Sequence, residues 1–402
     1  MLVPEQAWRR IDRHLSPLPP ESVSRADACG RVLAEALAAT ADLPPADVSA
    51  MDGYVCAGPV AAGSVLPVAG TVTAGRPPSF RLQPGTAAKI MTGAVVPDGG
   101  DRVVPVEETD GGDRRVRIDV APPAGAHIRR RAEVLARGAP LLAAGERLTP
   151  AGISLLAAHG YAAVKVHRRP SVATLATGDE VVPPEVEPAA GQLRDSNSAF
   201  LAAALGTLGI APHALGIAPD EPSALRRLIR QGLTRDVLLL SGGVSMGELD
   251  LVEDVLAELG CTAIFDRVAM QPGKPLVAAR HAGGWVFGLP GNPASVMVGF
   301  WLFVRPLLRR LMGLADGFWH GALAAELTAP LRGAKGRDRF LAAKAAIRRG
   351  RLFATPLPPR GSHDVAAYGR GSVLLRIPAD AEAREAGAPC EILPLVDWPG
   401  DP

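Results

Sequence analysis

Cysteine is scarce in this chain of 402 residues. Cys29, Cys56, Cys261 and Cys390 form no C-x-x-C pair and no other paired spacing, which argues against a disulfide framework and against a structural zinc. A reducing cytoplasm is the compartment that fits. Charge of one sign is also missing. The formal net charge is +2, so nothing electrostatic points to nucleic acid or a membrane surface as partner. Long hydrophobic runs are absent. The longest apolar stretch, Ala294 to Val304, is too short to cross a bilayer and reads as a buried helix. The opening MLVPEQAWRRIDRH has neither the apolar centre nor the small-residue cleavage site of a signal peptide.

What is present is the composition of a globular protein, 48% hydrophobic and 21% charged. The length predicts roughly two to four domains. Proline and glycine are unevenly placed and suggest the boundaries. Residues 1–42 and 127–168 are helical in type, with helix expected from Ala7 onward, over Arg31 to Leu37, and between Arg129 and His159. The intervening 43–126 breaks into short β runs (Val65 to Val72, Ala87 to Met91, Arg102 to Val106, Arg115 to Val120), read as a β domain inserted into a discontinuous helical one. Over 169–316 strands alternate with helices: Ser171 to Ala176, Ser198 to Leu208, Pro212 to Ile217, Glu221 to Gln231, Asp236 to Leu240, Leu249 to Leu259. The strand Trp285 to Leu289 follows, then a long apolar helix from Pro293 to Met312 interrupted at Pro306. Such alternation predicts a doubly wound α/β domain with a mainly parallel sheet. Residues 317–402 return to short β runs, Ile347 to Thr355 and Ser372 to Ile377 among them, and read as a C-terminal β barrel or sandwich.

Ligands of open α/β sheets bind beyond the carboxyl ends of the strands. Three loops leave such ends here. Ser241-Gly242-Gly243-Val244-Ser245 opens a helix, where glycines admit an anion and free N–H groups can hold it. Ser245 and Glu248 also have capping-box spacing, so a phosphate site and a well-capped turn are both open readings. Pro290-Gly291-Asn292-Pro293 repeats the design, with Asn292 as a cap and Pro293 at the first helical position. Thr177-Gly178-Asp179-Glu180 ends a strand on two carboxylates, a donor set that suits Mg²⁺ and that a surface turn would also explain. Asp195-Ser196-Asn197-Ser198 can be read as a simple N-cap cluster. Elsewhere, Met51-Asp52-Gly53 and Met91-Thr92-Gly93 are unusual for structural turns, and the turn Gln271-Pro272-Gly273-Lys274-Pro275 holds one ammonium between prolines, ready for an anion, although a lone surface lysine also explains it. Of the two basic runs, Arg348-Arg349 reads as a solvated surface patch and Arg129-Arg130-Arg131 is left open.

Taken in order, LPPADVSAMDGY, KIMTGAVVPDGGDRVVPVEET, ATGDEV, RDSNS, SGGVSMGELD, MQPGKP and LPGNPAS, then VRPLLRRLMG and GSHD, resemble the molybdopterin molybdenumtransferase (molybdenum insertase) family, which includes the C-terminal part of gephyrin. The resemblance implies molybdate insertion into adenylylated molybdopterin with Mg²⁺ and release of AMP. It further implies a homodimer of four-domain subunits whose pterin site faces the partner's inserted domain, and it leaves room for an upstream pterin adenylyltransferase as partner. Carried over residue by residue, it makes Asp52, Thr92, Glu180, Asp250 and Lys274 catalytic, with Asp52 and Glu180 also on the metal. Gly242, Gly243 and Ser245 match the pterin-phosphate loop, and Pro290 and Pro293 the second loop. Asp220, Arg129 and Ser362 match further substrate-binding positions, Ser362 toward the molybdate.

Two positions depart from the pattern. Gln271 stands where the family often has a first lysine, and Ala132-Glu133-Val134 stands for the usual G-E-D. The first weakens the expected positive field around molybdate, and the second removes one peripheral carboxylate. Two other functions remain as alternatives: a molybdopterin adenylyltransferase, which the extra β domains oppose, and a non-catalytic pterin-binding scaffold.

Overall fold

The computed structural model describes residues 1–243 and 251–395, and the chain folds as two compact units. The first comprises 1–22, 30–34 and 165 onward; the second comprises 23–29 and 35–164.

The first unit is built on a six-stranded sheet. Its spatial order is His213–Ala218, Val172–Thr177, Val237–Ser241, Gly284–Leu289, Val277–His281, Thr262–Phe265. The first four strands run parallel, Val277–His281 runs antiparallel to them, and Thr262–Phe265 pairs antiparallel with Val277–His281. Val172–Thr177 and Val237–Ser241 are buried at every position, as a sheet covered on both faces requires. The two-residue period divides their side chains between two cores. Val237 and Leu239 join Leu201, Leu205 and Val296 on one face, while Leu238 and Leu240 join Leu225, Ile229 and Val252 on the other. Helices Ser196–Thr207 and Pro293–Gly299 thus cover one face, and Pro222–Gly232 and Leu251–Glu258 the other.

The long apolar helix is interrupted where proline predicts. Pro293–Gly299 and Arg305–Leu311 are α-helical, and Phe300–Val304 between them is a π turn. Pro306 has no N–H to donate to the preceding turn, and the wider π turn accommodates that gap. Near its end, Arg309 pairs with Asp316 at 2.6 Å, both side chains only 3% exposed.

The C-terminal strands Leu323–Leu327, Asp338–Arg348, Arg351–Pro356, Val373–Ile377 and Pro389–Pro394 form a closed barrel, because Asp338–Arg348 also pairs with Val373–Ile377. The expected run Ile347 to Thr355 is instead a hairpin. Arg349 and Gly350 both have positive φ, the geometry of a two-residue hairpin turn, and only the glycine announces it. Met270–Gln271 adds to this barrel, pairing in parallel with Asp338–Arg339.

The second unit carries a five-stranded sheet in the order Arg102–Pro105, Gly53–Cys56, Ala87–Ile90, Val65–Val72, Arg115–Arg117. Helix is sparser than expected in the segments flanking the inserted β region. Pro4–Asp12 and Pro150–Ala158 are helical, but Arg31 to Leu37 is not: Leu33 bridges Val166, the Ala34 N–H donates to the Lys165 carbonyl, and the chain bends before a short strand begins at Leu37. Tertiary pairing overrides the helix propensity of this alanine- and leucine-rich run. Between Arg129 and Leu148 the chain forms turns and the short strand Pro140–Leu142. Among the described residues, no helix is long and apolar enough to cross a membrane.

Candidate active site

A cleft of about 1360 Å³ opens in the first unit where the parallel strands end and the barrel wall begins. Because neighbouring parallel strands end together, their loops converge there. Gly242 donates its N–H to the Leu289 carbonyl at 3.0 Å, joining the loop after Val237–Ser241, second in chain order, to the loop after Gly284–Leu289, third in chain order. Asn197 joins the third loop to the helix at Ser196, donating from Nδ2 to the Gly291 carbonyl at 2.8 Å. Asp195 caps that helix, accepting from the Ser198 N–H, so the simple reading of this cluster holds for the aspartate. Asn292 sits at the N-cap of the next helix but makes no side-chain capping bond. The Ala294 N–H is taken instead by the Ser362 carbonyl from the barrel, at 3.2 Å.

Glycine is required at two points of this cradle. Gly178 has φ +130, and a Cβ there would stand 2.6 Å from a Glu180 carboxylate oxygen. At Gly242, φ +96, a Cβ would meet the Thr177 carbonyl oxygen at 2.5 Å. Without side chains, Glu180 can fold back over the first turn and the second can lie against the strand end.

The cleft carries opposite charges on its two sides. Glu180, Asp195 and Asp220 line the sheet side. Although exposed by area, Asp220 has its carboxyl raised above the ordinary range, chiefly by local desolvation and further by the Asp179 and Glu180 charges. The Asp220 N–H donates to Asp179 at 3.1 Å. Lys274 lines the cleft on the turn that follows the cis Gln271–Pro272 peptide, with its carbonyl accepting from the Val268 and Leu276 N–H groups. Arg332, Arg337 and Arg339 line it from the barrel. Among the described residues none of these four cations is ion-paired; Arg339 donates to the Gly333 carbonyl at 2.9 Å. The three arginines were not among the expected site residues, because nothing local in the stretch from Arg332 to Arg339 sets its place in the cleft wall.

Of the expected site residues, Glu180, Asp220, Gly242, Gly243, Lys274, Pro290, Pro293 and Ser362 all line this one cleft. Ser245 and Asp250 lie outside the described residues. Asp52, Thr92 and Arg129 belong to the second unit. Thr92 donates to one Asp52 oxygen twice, from its N–H at 2.6 Å and its hydroxyl at 2.8 Å. The backbone bond is the larger cause of a carboxyl pKa below the usual range, and the side-chain bond adds to it. The arginine run divides by role. Arg130 pairs with Asp47 at 2.6 Å and Arg131 with Asp42 at 2.5 Å, whereas Arg129 is exposed and makes no ion pair among the described residues.

Comparisons with known proteins bear on the family. Residues 2–160 match the family model of the MoeA N-terminal region (domain I and II), residues 173–310 that of a "Probable molybdopterin binding domain", and residues 324–395 that of the MoeA C-terminal region (domain IV). Molybdopterin molybdenumtransferase 2 of Mycobacterium tuberculosis is 37% identical over 94% of this chain and 95% of its own length. The molybdopterin molybdenumtransferase of Haemophilus influenzae is 32% identical over 98% and 99%. The crystal structure of a MoeA protein from Pyrococcus horikoshii superposes with a TM-score of 0.84 at 32% identity, covering 99% of this chain and 100% of that one. The chain belongs to the molybdopterin molybdenumtransferase family.

It is therefore an enzyme of molybdenum cofactor biosynthesis with a pterin substrate. Membership also gives the two departures a structural meaning. Gln271 replaces a lysine of the molybdenumtransferase pattern, but Arg332, Arg337 and Arg339 keep the barrel side of the cleft positive. Ala132 takes a glycine position of that pattern, and its φ is +60, a conformation that disfavours a Cβ.

Proposed function

We propose that this molybdenumtransferase inserts molybdate into adenylylated molybdopterin and releases AMP. The observation that carries this reading is one cleft with carboxylates on the sheet side and, on the barrel side, four cations that have no carboxylate partner among the described residues. Its substrate would be polyanionic, and molybdate is a dianion. Lys274, with Arg332, Arg337 and Arg339, would offset that charge and hold the oxyanion against the pterin dithiolene. Gly242, Gly243 and Ser245 would seat the pterin phosphate, with Pro290 and Pro293 shaping the adjoining wall.

The donor set on the sheet side fits Mg²⁺. Desolvation first, and then the neighbouring Asp179 and Glu180 charges, raise the Asp220 carboxyl, and a cation would relieve the repulsive part. Mg²⁺ needs only one or two carboxylates when substrate phosphates and water complete its shell, so Glu180 and Asp220 would suffice in this unit. When bound, the ion would offset charge developing on the phosphoanhydride. In the second unit, Asp52 is proposed as a further acid for the metal and the reaction, because Thr92 fixes one oxygen and leaves the other open. Arg129 and Ser362 are proposed substrate contacts, Asp250 is a proposed catalytic acid, and a homodimer is the proposed assembly.

The test is turnover of adenylylated molybdopterin with molybdate and Mg²⁺, followed as AMP release. AMP appearing in step with molybdenum cofactor supports the reading. Pterin binding with no AMP would favour a scaffold, and consumption of ATP with free molybdopterin an adenylyltransferase. Sedimentation at several concentrations tests the dimer.

A further inference from the structure

The loop 290–293 carries a polar side chain that the fold does not use. Asparagine just before a helix ordinarily accepts a hydrogen bond from an N–H of the first turn. Asn292 stands at that place and makes no such bond. Backbone groups do its work instead. The Ser362 carbonyl takes the Ala294 N–H at 3.2 Å, and the Asn292 carbonyl takes those of Ser295 at 2.9 Å and Val296 at 3.2 Å. On the other flank, the Gly291 carbonyl accepts from Asn197 Nδ2 at 2.8 Å. The backbone around Asn292 is thus tied on both sides, while its side chain makes no hydrogen bond among the described residues. Asn292 is exposed and lines the cleft. Its loop also lies against the glycine turn, since a Cβ on Gly291 would stand 3.7 Å from the Gly242 Cα. An uncommitted carboxamide therefore borders the place proposed for the substrate phosphate.

We propose that Asn292 is a substrate-binding residue, whose Nδ2 donates a hydrogen bond to an anionic oxygen of the phosphate held at Gly242 and Gly243. This rests on the proposed function for the presence of that phosphate. The barrel, by supplying the Ser362 carbonyl to the helix, releases the side chain from capping and leaves it to the ligand. A hydrogen bond to a charged oxygen is stronger than one between neutral groups, and the tied backbone reduces the ordering needed on binding. The role can be told from capping. Aspartate caps a helix about as well as asparagine, but it would set a negative charge against the anion.

The experiment compares the parent chain with Asn292→Ala and Asn292→Asp. Each is melted without ligand, then titrated calorimetrically with adenylylated molybdopterin. No divalent cation is present, so a new carboxylate cannot recruit a metal. Asn292→Ala is expected to melt with the parent, because no capping bond is lost. It should bind about tenfold more weakly, the equivalent of one lost bond to a charged oxygen. Asn292→Asp should bind weaker still, about 100-fold below the parent on the same scale, by a margin that shrinks at high salt. Parental affinity in Asn292→Ala overturns the proposal while leaving the proposed function standing. Parental affinity in Asn292→Asp does the same. A melting temperature that falls in Asn292→Ala and is restored in Asn292→Asp also overturns it, because the side chain would then be a cap. If the parent does not bind adenylylated molybdopterin, the proposed function falls and this inference falls with it.

Discussion

The two sides of the cleft present charge by different means. On the sheet side, each functional loop is a short contiguous motif at the end of a strand, and in the first two a glycine at positive φ, Gly178 and Gly242, sets the shape locally. On the barrel side the cations come from separate stretches of sequence. Lys274 and Arg339 are brought to one wall by a single long-range pairing, Met270–Gln271 against Asp338–Arg339. That pairing has its own support: Asp338 accepts from Arg376 at 2.8 Å and from the Ala379 N–H at 2.8 Å, while Arg376 also reaches Glu5 and lies over Phe318. Local backbone shape places the groups expected to do chemistry, and registry between distant segments places those expected to hold the anion.

If that division is right, substitutions on the two sides separate kinetically. The largest effect is expected from Glu180→Gln on the sheet side. It should lower kcat for AMP release about 100-fold or more, the scale seen when a group acting on the transition state is removed. A smaller and different effect is expected on the barrel side. Arg339→Ala and Lys274→Ala should each raise KM for molybdate about tenfold with kcat within about threefold, as lost ground-state binding does. That KM effect should shrink at high salt. Equal loss of kcat on both sides would break the comparison.

Next in size is the buried pair that ends the long helix under the sheet. Asp316→Ala removes the carboxylate of a buried ion pair, so a loss of about 3 kcal/mol in denaturant unfolding is expected. Smaller still is Ala132→Gly in the second unit, which removes a Cβ from a left-handed backbone position. It should stabilise by about 1 kcal/mol or less without changing AMP release.

The subtlest expectation concerns pH. Asp220 is held above its ordinary range in the folded chain, so its ionisation lowers stability as pH rises through that folded value. Asp220→Asn should therefore melt slightly higher than the parent at neutral pH. The difference should vanish below about pH 3, where both folded and unfolded carboxyls are protonated.

The same division explains what could be read from the residues alone. The doubly wound sheet was legible because Val172–Thr177 and Val237–Leu240 are apolar runs of strand length between glycine-marked loops. The loops that line the cleft were legible for the same reason. Arg332, Arg337 and Arg339 were not, since their place in the wall depends on a barrel register that no local pattern encodes. Arg31 to Leu37 misled because its composition favours a helix, while the partner that draws it into a bridge, Val166, lies more than a hundred residues away. The arginine run at 129–131 could not be apportioned from sequence. Asp42 and Asp47 take two of its members, and that emerges only in three dimensions.

The central claim is that the anion is held on the barrel side of this one cleft. A crystal soaked with molybdate and measured at the molybdenum absorption edge tests it most directly. An anomalous peak beside Lys274 and Arg339 is the predicted result. A peak only outside the cleft, with this wall empty at saturating molybdate, would contradict it.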